Sequence, residues 1–298
     1  MATSIRVSGT ASPRAERAFR HPLAVARRLA RNRAAMAGFA VLLVMGLTAL
    51  LAGALLPYGA DTADLNAVLQ SPTVAHPFGT DQLGRDILAR IIYGGRISLL
   101  IGVLAVGVGA VIGVPFGVVS GFYGGRTDAL IQRAVDVMLS FPGFLLALTL
   151  ISLLGVGPRN VVLSVGIASV PVYIRLVRAV TLSLRELAYV ESARAIGLSD
   201  LRIMLRHVLP NTAAPIIVQS SLQLGTALLT AAGLGFLGIG VTPPTPEWGT
   251  MLGEAQTYVL AAWYMGTFPG LAIFAAVMAF NLLGDGLRDA LDPRMKTL

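Results

Sequence analysis

Six stretches of mostly apolar residues, near 38–56, 97–122, 137–156, 160–180, 210–240 and 262–284, dominate this chain. A helix needs about 20 such residues to cross the hydrocarbon of a bilayer. Only helices and closed barrels satisfy every backbone hydrogen bond there. Runs of this length are helical, so the expected fold is all-α, a polytopic membrane protein with six transmembrane helices. The fifth run exceeds what a bilayer requires, which implies tilt, a kink or an extension beyond the lipid. With 55% hydrophobic and 13% charged residues, the chain lacks the charge of a soluble domain. It contains no cysteine, which excludes disulfides, thiolate metal sites and cysteine nucleophiles.

The formal charge of +8 is compatible with nucleic-acid binding or with basic loops retained on the cytoplasmic side. Position decides between them. With the N-terminus in the cytoplasm, residues 1–37, 123–136, about 175–209 and 285–298 lie inside and hold 19 of the 23 Lys and Arg. Only Arg85, Arg90, Arg96 and Arg159 fall elsewhere. The charge therefore encodes topology, with both termini cytoplasmic, and no nucleic-acid partner is expected. Residues 1–37 form a basic cytoplasmic tail containing Arg6, Arg14, Arg17, Arg20, Arg27, Arg28, Arg31 and Arg33. This basic region and the apolar run after it are longer than in a cleaved signal peptide, so 38–56 is read as an uncleaved first span. The stretch "HPLAVARRLARNR" suits either an amphipathic helix on anionic headgroups or a solvated tail.

Residues 57–96 form an extracytoplasmic loop whose second half is helical in pattern. Asp81 is placed to cap that helix, Asp86 and Arg90 are spaced i, i+4, and Ile87, Ile91 and Ile92 form an apolar stripe. Such a helix either covers the outer end of a bundle or presents a surface to a partner. The core proper is 97–298, five further helices. In its first helix Gly109, Gly113, Gly117 and Gly121 recur every fourth residue, preceded by Ala105 and followed by Gly125. That spacing leaves a groove without side chains in which another helix packs closely. Pro115 is expected to bend the same helix.

The spans, trimmed to the bilayer core, contain no Asp, Glu, Lys, Arg or His. The nearest charges, Asp136, Arg175, Arg178 and Asp285, sit at cytoplasmic ends. Ion-coupled carriers place ionisable groups inside the membrane, which disfavours that class. His21, His76 and His207 lie outside the core and read as ordinary polar residues. No HExxH, no paired intramembrane carboxylates and no GK[ST] phosphate loop are present. Any energy for uphill transport must therefore enter through a partner. Ser140, Ser164, Ser169, Thr226, Thr230 and Asn281 are polar residues in or near spans, of the kind that return hydrogen bonds to helix carbonyls.

The longest internal cytoplasmic loop, 186–210, reads helix, break, helix. Glu186 to Ile196 favours a helix, and Gly197 stands where a helix end adopts a left-handed conformation. Ser199 suits an N-cap, and Leu201, Met204, Leu205 and Val208 fall on one face of a second helix, with Arg202 and Arg206 on another. Pro210 suits the first turn of the next span. An amphipathic hairpin of this kind either anchors in lipid or docks a cytoplasmic protein. Glu191, Ser192, Ala193, then Gly197 and Leu209-Pro210, resemble the EAA loop of ABC importer permeases, with Ser192 at an alanine position. "HPFGTDQLGRDILARIIYGGRISLLIG" from His76, "PEWGTML" from Pro246 and "GDGLRDALDPR" from Gly284 are similar to the C-type membrane subunit of dipeptide and oligopeptide permeases. The likeness covers nearly all of the chain beyond residue 30.

This resemblance implies the type I ABC importer (MetI-like) permease fold in a prokaryotic cytoplasmic membrane. It implies a homologous B-type permease subunit, two cytoplasmic ATPases and an extracytoplasmic substrate-binding protein as partners, in addition to the lipid bilayer. ATP and Mg would be bound by the ATPases, with no cofactor, metal or catalytic residue in this chain. Coupling falls to Glu191, Ser192, Ala193, Arg194, Gly197, Leu209 and Pro210, and exposed receptor-contact candidates are Arg85 and Glu247. The implied cargo is a di- or oligopeptide. Nickel chelates, glutathione and opine-like solutes are the alternatives within the same architecture, and a stand-alone carrier or an inert membrane anchor lies outside it.

Overall fold

A computed structural model describes residues 22–56 and 59–291. The first arginines of the tail and the end of the "GDGLRDALDPR" motif lie outside them. Ten helices carry the architecture: α1 (Pro22–Leu29), α2 (Arg33–Leu50), α3 (Ile87–Tyr123), α4 (Gly125–Leu139), α5 (Gly143–Leu154), α6 (Pro158–Arg185), α7 (Ala188–Ala195), α8 (Asp200–Phe236), α9 (Trp248–Ala255) and α10 (Tyr264–Leu291). Five of them are long and apolar enough to cross a membrane alone: α2, α3, α6, α8 and α10.

The third apolar run is not the continuous span expected at 137–156. It splits into α4 and α5, which meet at 89° across residues 140–142. Pro142 has no N–H to continue a helix and holds Phe141 out of the helical region, so the break belongs here. Packing registers show that the bent pair nonetheless crosses. Gly109, Gly113, Gly117 and Gly121 of α3 face Ser169, Tyr173, Val177 and Thr181 of α6. Both sequences ascend together, so α3 and α6 are parallel, and the chain between them must return from one end of the bundle to the other. The described terminal segments share an end: Arg28 Nη1 donates to the Ala290 carbonyl at 3.5 Å and Asn32 Nδ2 to Asp289 at 3.4 Å. That agrees with an even number of crossings, hence six. This end is called the near end below, and the opposite one the far end.

The glycine stripe is a close helix contact at four positions along α3. A Cβ on Gly113 would lie 2.5 Å from Tyr173 Cβ and 2.9 Å from the Val170 carbonyl, and one on Gly117 2.8 Å from Val177 Cβ. Gly166 returns the fit from α6, since a Cβ there would lie 2.7 Å from Val108 Cβ. Gly125 is not part of the groove; it opens α4 at φ +52°. α3 continues through Pro115 without a break. α4 is fastened by polar contacts to α6, where Arg178 donates twice to Asp128 at 2.6 Å each and Arg175 reaches Asp136 at 2.8 Å, and to α3, where Ser120 donates to Asp128 at 2.5 Å.

Several boundaries differ from the sequence reading. α3 begins at Ile87, so the loop helix and the second span are one rod. Its N-cap is Asp86, accepting from Ala89 N at 2.7 Å, and not Asp81. Asp86 also meets His76 at 2.8 Å and does not pair with Arg90. At the other end of the fifth span, Asp200–Phe236 is continuous and includes the second helix of the 186–210 loop. The passage through Pro210 is made by a wide turn over Met204–Val208, in which Leu209 N bonds the Met204 carbonyl. One inserted residue of this kind relieves the clash a proline imposes on the preceding turn.

Candidate functional site

At the near end, α7 and the start of α8 form a two-helix element seated on the bundle. Val190 and Ala193 from α7, with Ile203, Met204 and Val208 from α8, are buried against Val118 and Phe122 of α3 and Val177 of α6. The helix expected from Glu186 is shorter: α6 ends at Arg185, Glu186 caps it, and α7 spans Ala188–Ala195. Gly197 has φ +82°. Its N–H bonds the Arg194 carbonyl at 2.9 Å, and Leu198 N bonds the Ala193 carbonyl at 3.1 Å. These two bonds close a Schellman turn, in which the left-handed residue reverses the chain and Leu198 folds back on the core. Ser199 occupies the N-cap position of α8, with no side-chain capping bond.

Burial against α3 and α6 leaves a distinct outer face. Glu191, Ser192 and Arg194 are exposed, with the Arg194 guanidinium 4.8 Å above the Phe122 ring. Ile196, Leu201 and Leu205 are 78%, 63% and 57% exposed. Leu201 and Leu205 therefore do not share the buried face of Met204 and Val208 as their spacing suggested. The wide turn rotates the helix so that Ile203 packs inward. Ser199, Leu201, Arg202, Leu205 and Arg206 line an open groove of about 470 Å³. Leu209 is half-buried, Pro210 is exposed, and Asn211 Nδ2 closes the turn by donating to the His207 carbonyl at 2.6 Å. All seven coupling candidates are thus brought onto one element. Of the exposed apolar trio beside them, spacing alone puts Leu201 and Leu205 on the buried face, and Ile196 reads only as the end of the first helix.

The far end holds a different arrangement. Arg85 and Arg90 both donate to Asp81 at 2.6 Å, and Arg90 also reaches Glu254 of α9 at 2.8 Å. Two positive and two negative groups face one another in a buried cluster, which limits the desolvation cost of each. Glu247 caps α9, accepting from Gly249 N at 2.9 Å, Thr250 N at 2.8 Å and Ser98 Oγ at 3.1 Å. Trp248 Nε1 donates to the Ile91 carbonyl of α3 at 2.9 Å. Arg85 and Glu247, expected as exposed charges, are 3% and 2% exposed. Their charges are engaged inside the chain: Arg85 pairs with Asp81 four residues away, Glu247 caps its own helix, and the packing of α9 against α3, which brings Ser98 to Glu247 and Glu254 to the arginines, removes both from solvent. The 76–102 and 246–252 motifs therefore lock α3 to α9.

A two-helix element with an exposed outer face, seated on a bundle of six crossings, defines a multi-pass membrane protein with a surface open at its near end. The comparisons agree with that class. Residues 113–297 match the family model described as "Binding-protein-dependent transport system inner membrane component". Residues 22–72 match that of the "N-terminal TM domain of oligopeptide transport permease C". The chain belongs to this family of ABC importer permeases, and within it to the C-type subunits of the dipeptide, oligopeptide and glutathione group. It is 46% identical over 272 residues to the "Glutathione transport system permease protein GsiD" of Pectobacterium atrosepticum, covering 91% of this chain and 90% of the relative. The GsiD of Escherichia coli is 47% identical over 271 residues, covering 91% and 89%. Among solved structures it is similar to a chain of the MetNI methionine ABC transporter in inward-facing conformations, with TM-score 0.56 and 18% identity. That match covers 69% of this chain and 98% of the other. An amino acid ABC transporter aligns with TM-score 0.51 at 16% identity over 68% of this chain and 94% of that one. At these identities the likeness shows the fold, the MetI-like permease fold.

Proposed function

We propose that this chain is one of two permease subunits of an importer for glutathione or a similarly small peptide, energised by separate cytoplasmic ATPases. The observation that carries the coupling is the exposed face of Glu191, Ile196, Leu201 and Leu205 on an element whose other face is buried against α3 and α6 and whose second helix runs on as α8. A force on that face moves three spans as a body, which is what a rigid-body gate requires. ATP and Mg belong to the ATPases, and an extracytoplasmic receptor delivers the solute to the far end. The near end is cytoplasmic, because the basic segments gather there, and the membrane is the bacterial inner one. The relatives, permeases of glutathione transport systems, support glutathione over longer peptides. It replaces the general di- or oligopeptide cargo suggested by motif resemblance.

The test is uptake of labelled glutathione by proteoliposomes containing the full complex, with unlabelled glutathione, a dipeptide and a longer peptide as competitors. Glutathione is expected to compete best. A complex that transports the dipeptide and ignores glutathione overturns the cargo. In the same preparation Glu191→Lys is expected to insert and assemble normally and to lose stimulated ATPase activity together with uptake. Removing one partner of a half-buried charge pair costs about 2 kcal/mol or more at an interface. Uptake at the wild-type level in Glu191→Lys would remove Glu191 from the coupling role.

A further inference from the structure

α8 carries a polar stripe that neither its packing nor the coupling element explains. Gln219, Gln223, Thr226 and Thr230 fall at i, i+4, i+7 and i+11, within a narrow sector of the helix and over about 16 Å of its length. Thr230 Oγ1 donates to the Thr226 carbonyl at 2.9 Å, the internal bond such hydroxyls make in membrane helices. Gln219 and Gln223 have no such recourse. Both are partly exposed, and neither side-chain amide has a hydrogen-bond partner among the described residues. An unpaired amide facing lipid is costly, so this sector faces water, solute or another protein.

The flanks narrow the choice. On one side of the stripe Ala227, Ala231 and Leu234 are buried against α3, α5 and α6. On the other, Leu229 and Phe236 are 59% and 42% exposed and suit lipid or an apolar partner. Around Gln219 and Gln223 the stripe contains no small residue; its two threonines, Thr226 and Thr230, lie beyond them toward the far end. Close helix pairing in membranes uses small residues, as the glycines of α3 and the contact of Gly225 with Val277 show in this chain. Two long amides are poor material for such a seam. At its far end the sector is bounded by α5, where the Phe144 ring lies against Gly233, so that a Cβ there would come within 2.7 Å. The bend between α4 and α5 thus lies beside the stripe.

From this we infer that Gln219 and Gln223 line the solute path and exchange hydrogen bonds with the amide and carboxylate groups of a passing peptide. The inference rests on the importer reading above and adds the residues that meet the cargo. An uncharged amide offers both a donor and an acceptor, matching peptide N–H, C=O and carboxylate groups. It also binds weakly enough to release, as passage requires.

The chain contains no cysteine, so one introduced thiol is unique within it. Gln219→Cys, Gln223→Cys and, as the apolar-side control, Leu229→Cys are made in the assembled transporter in membrane vesicles. Each is treated with a charged, water-soluble methanethiosulfonate, and labelling is read on this chain by mass. Because a thiol reacts as its hydrated thiolate, positions 219 and 223 are expected to label about tenfold faster than 229. Saturating glutathione is expected to slow both. In uptake assays Gln223→Leu is expected to raise KM for glutathione about fivefold, the factor of one neutral hydrogen bond, with Gln223→Asn intermediate. Labelling at 219 and 223 as slow as at 229 overturns the path, as does an unchanged KM in an assembled Gln219→Leu/Gln223→Leu double variant. Fast labelling in a wild-type background that takes up no glutathione overturns the cargo and leaves the path standing.

Discussion

A single methyl group separates permissive from forbidden glycines on α3. At Gly113 an added Cβ meets Tyr173 Cβ at 2.5 Å and backbone at 2.9 Å, and backbone cannot rotate away. At Gly107, on the same helix, nothing lies within 4 Å. Gly113→Val is therefore expected to force α3 and α6 apart, costing about 1–3 kcal/mol or more as overpacking does. Gly107→Ala should be neutral, or stabilising by up to about 1 kcal/mol through helix propensity. Thermal unfolding of the purified complex in detergent measures both. Equal stability of the two variants would show that the α3–α6 contact is looser than its geometry. The spacing of these glycines made the groove legible in the sequence. Its partner was not, because the facing residues on α6 are Ser169, Tyr173, Val177 and Thr181, a set with no compositional mark.

At the scale of elements, apolar length identified the runs but misplaced their ends. Hydropathy counts a charge against a span, whereas Arg90 is 1% exposed and neutralised by Asp81 and by Glu254 from far along the chain. α3 therefore extends well past the apolar run, and no local rule reports it. The 186–210 loop was more legible, since a glycine after a helix and before a serine at the next N-cap position is a local signal. What remained hidden was that its second helix is the end of α8, because Pro210 reads as a start while the wide turn at Met204–Val208 carries the helix past it. The Schellman turn at Gly197 gives a sharp expectation. No atom lies within 4 Å of a Cβ built there, so any penalty comes from the backbone at φ +82° and not from crowding. Asn adopts that conformation readily and β-branched residues do not. Gly197→Asn is expected to keep most ATPase coupling and Gly197→Val to lose it, with roughly 1–2 kcal/mol separating the two turns. Co-purification of the ATPases with each variant, alongside stimulated ATPase rates, checks it. Equal recovery and rates for Asn and Val would mean that the turn does not set the angle of α7.

Across the whole molecule, the two ends are built for opposite purposes. The near end presents an exposed face on an element anchored to three spans, the surface proposed to take the ATPases' push. The far end buries its charges and ties the start of α3 to α9 through Asp81, Arg85, Arg90 and Glu254, with Glu247 and Trp248 bridging to Ser98 and Ile91. On the proposed function, a displacement applied at α7 would reach the far end along α3 and α8 only if that end held together, and the cluster would then set how much of the motion became gating. Removing one member of a buried cluster leaves uncompensated charge, a loss of about 3–5 kcal/mol. Arg90→Met takes away one guanidinium and leaves Asp81 and Glu254 facing Arg85 alone. By contrast, Arg175 and Asp136 form a pair whose side chains are 55% and 57% exposed, and such pairs contribute about 1 kcal/mol or less. Arg90→Met is therefore expected to lower the thermal midpoint of the purified complex far more than Arg175→Met. It is also expected to uncouple hydrolysis from uptake, with the ATPases still bound at wild-type yield because the near-end surface is untouched. Pairing Arg90→Met with Asp81→Asn should recover part of the loss, since one unpaired carboxylate is then removed as well. Failure of the double variant to improve on the single one would show that Arg90 acts through packing alone and that the cluster's charge balance plays no part.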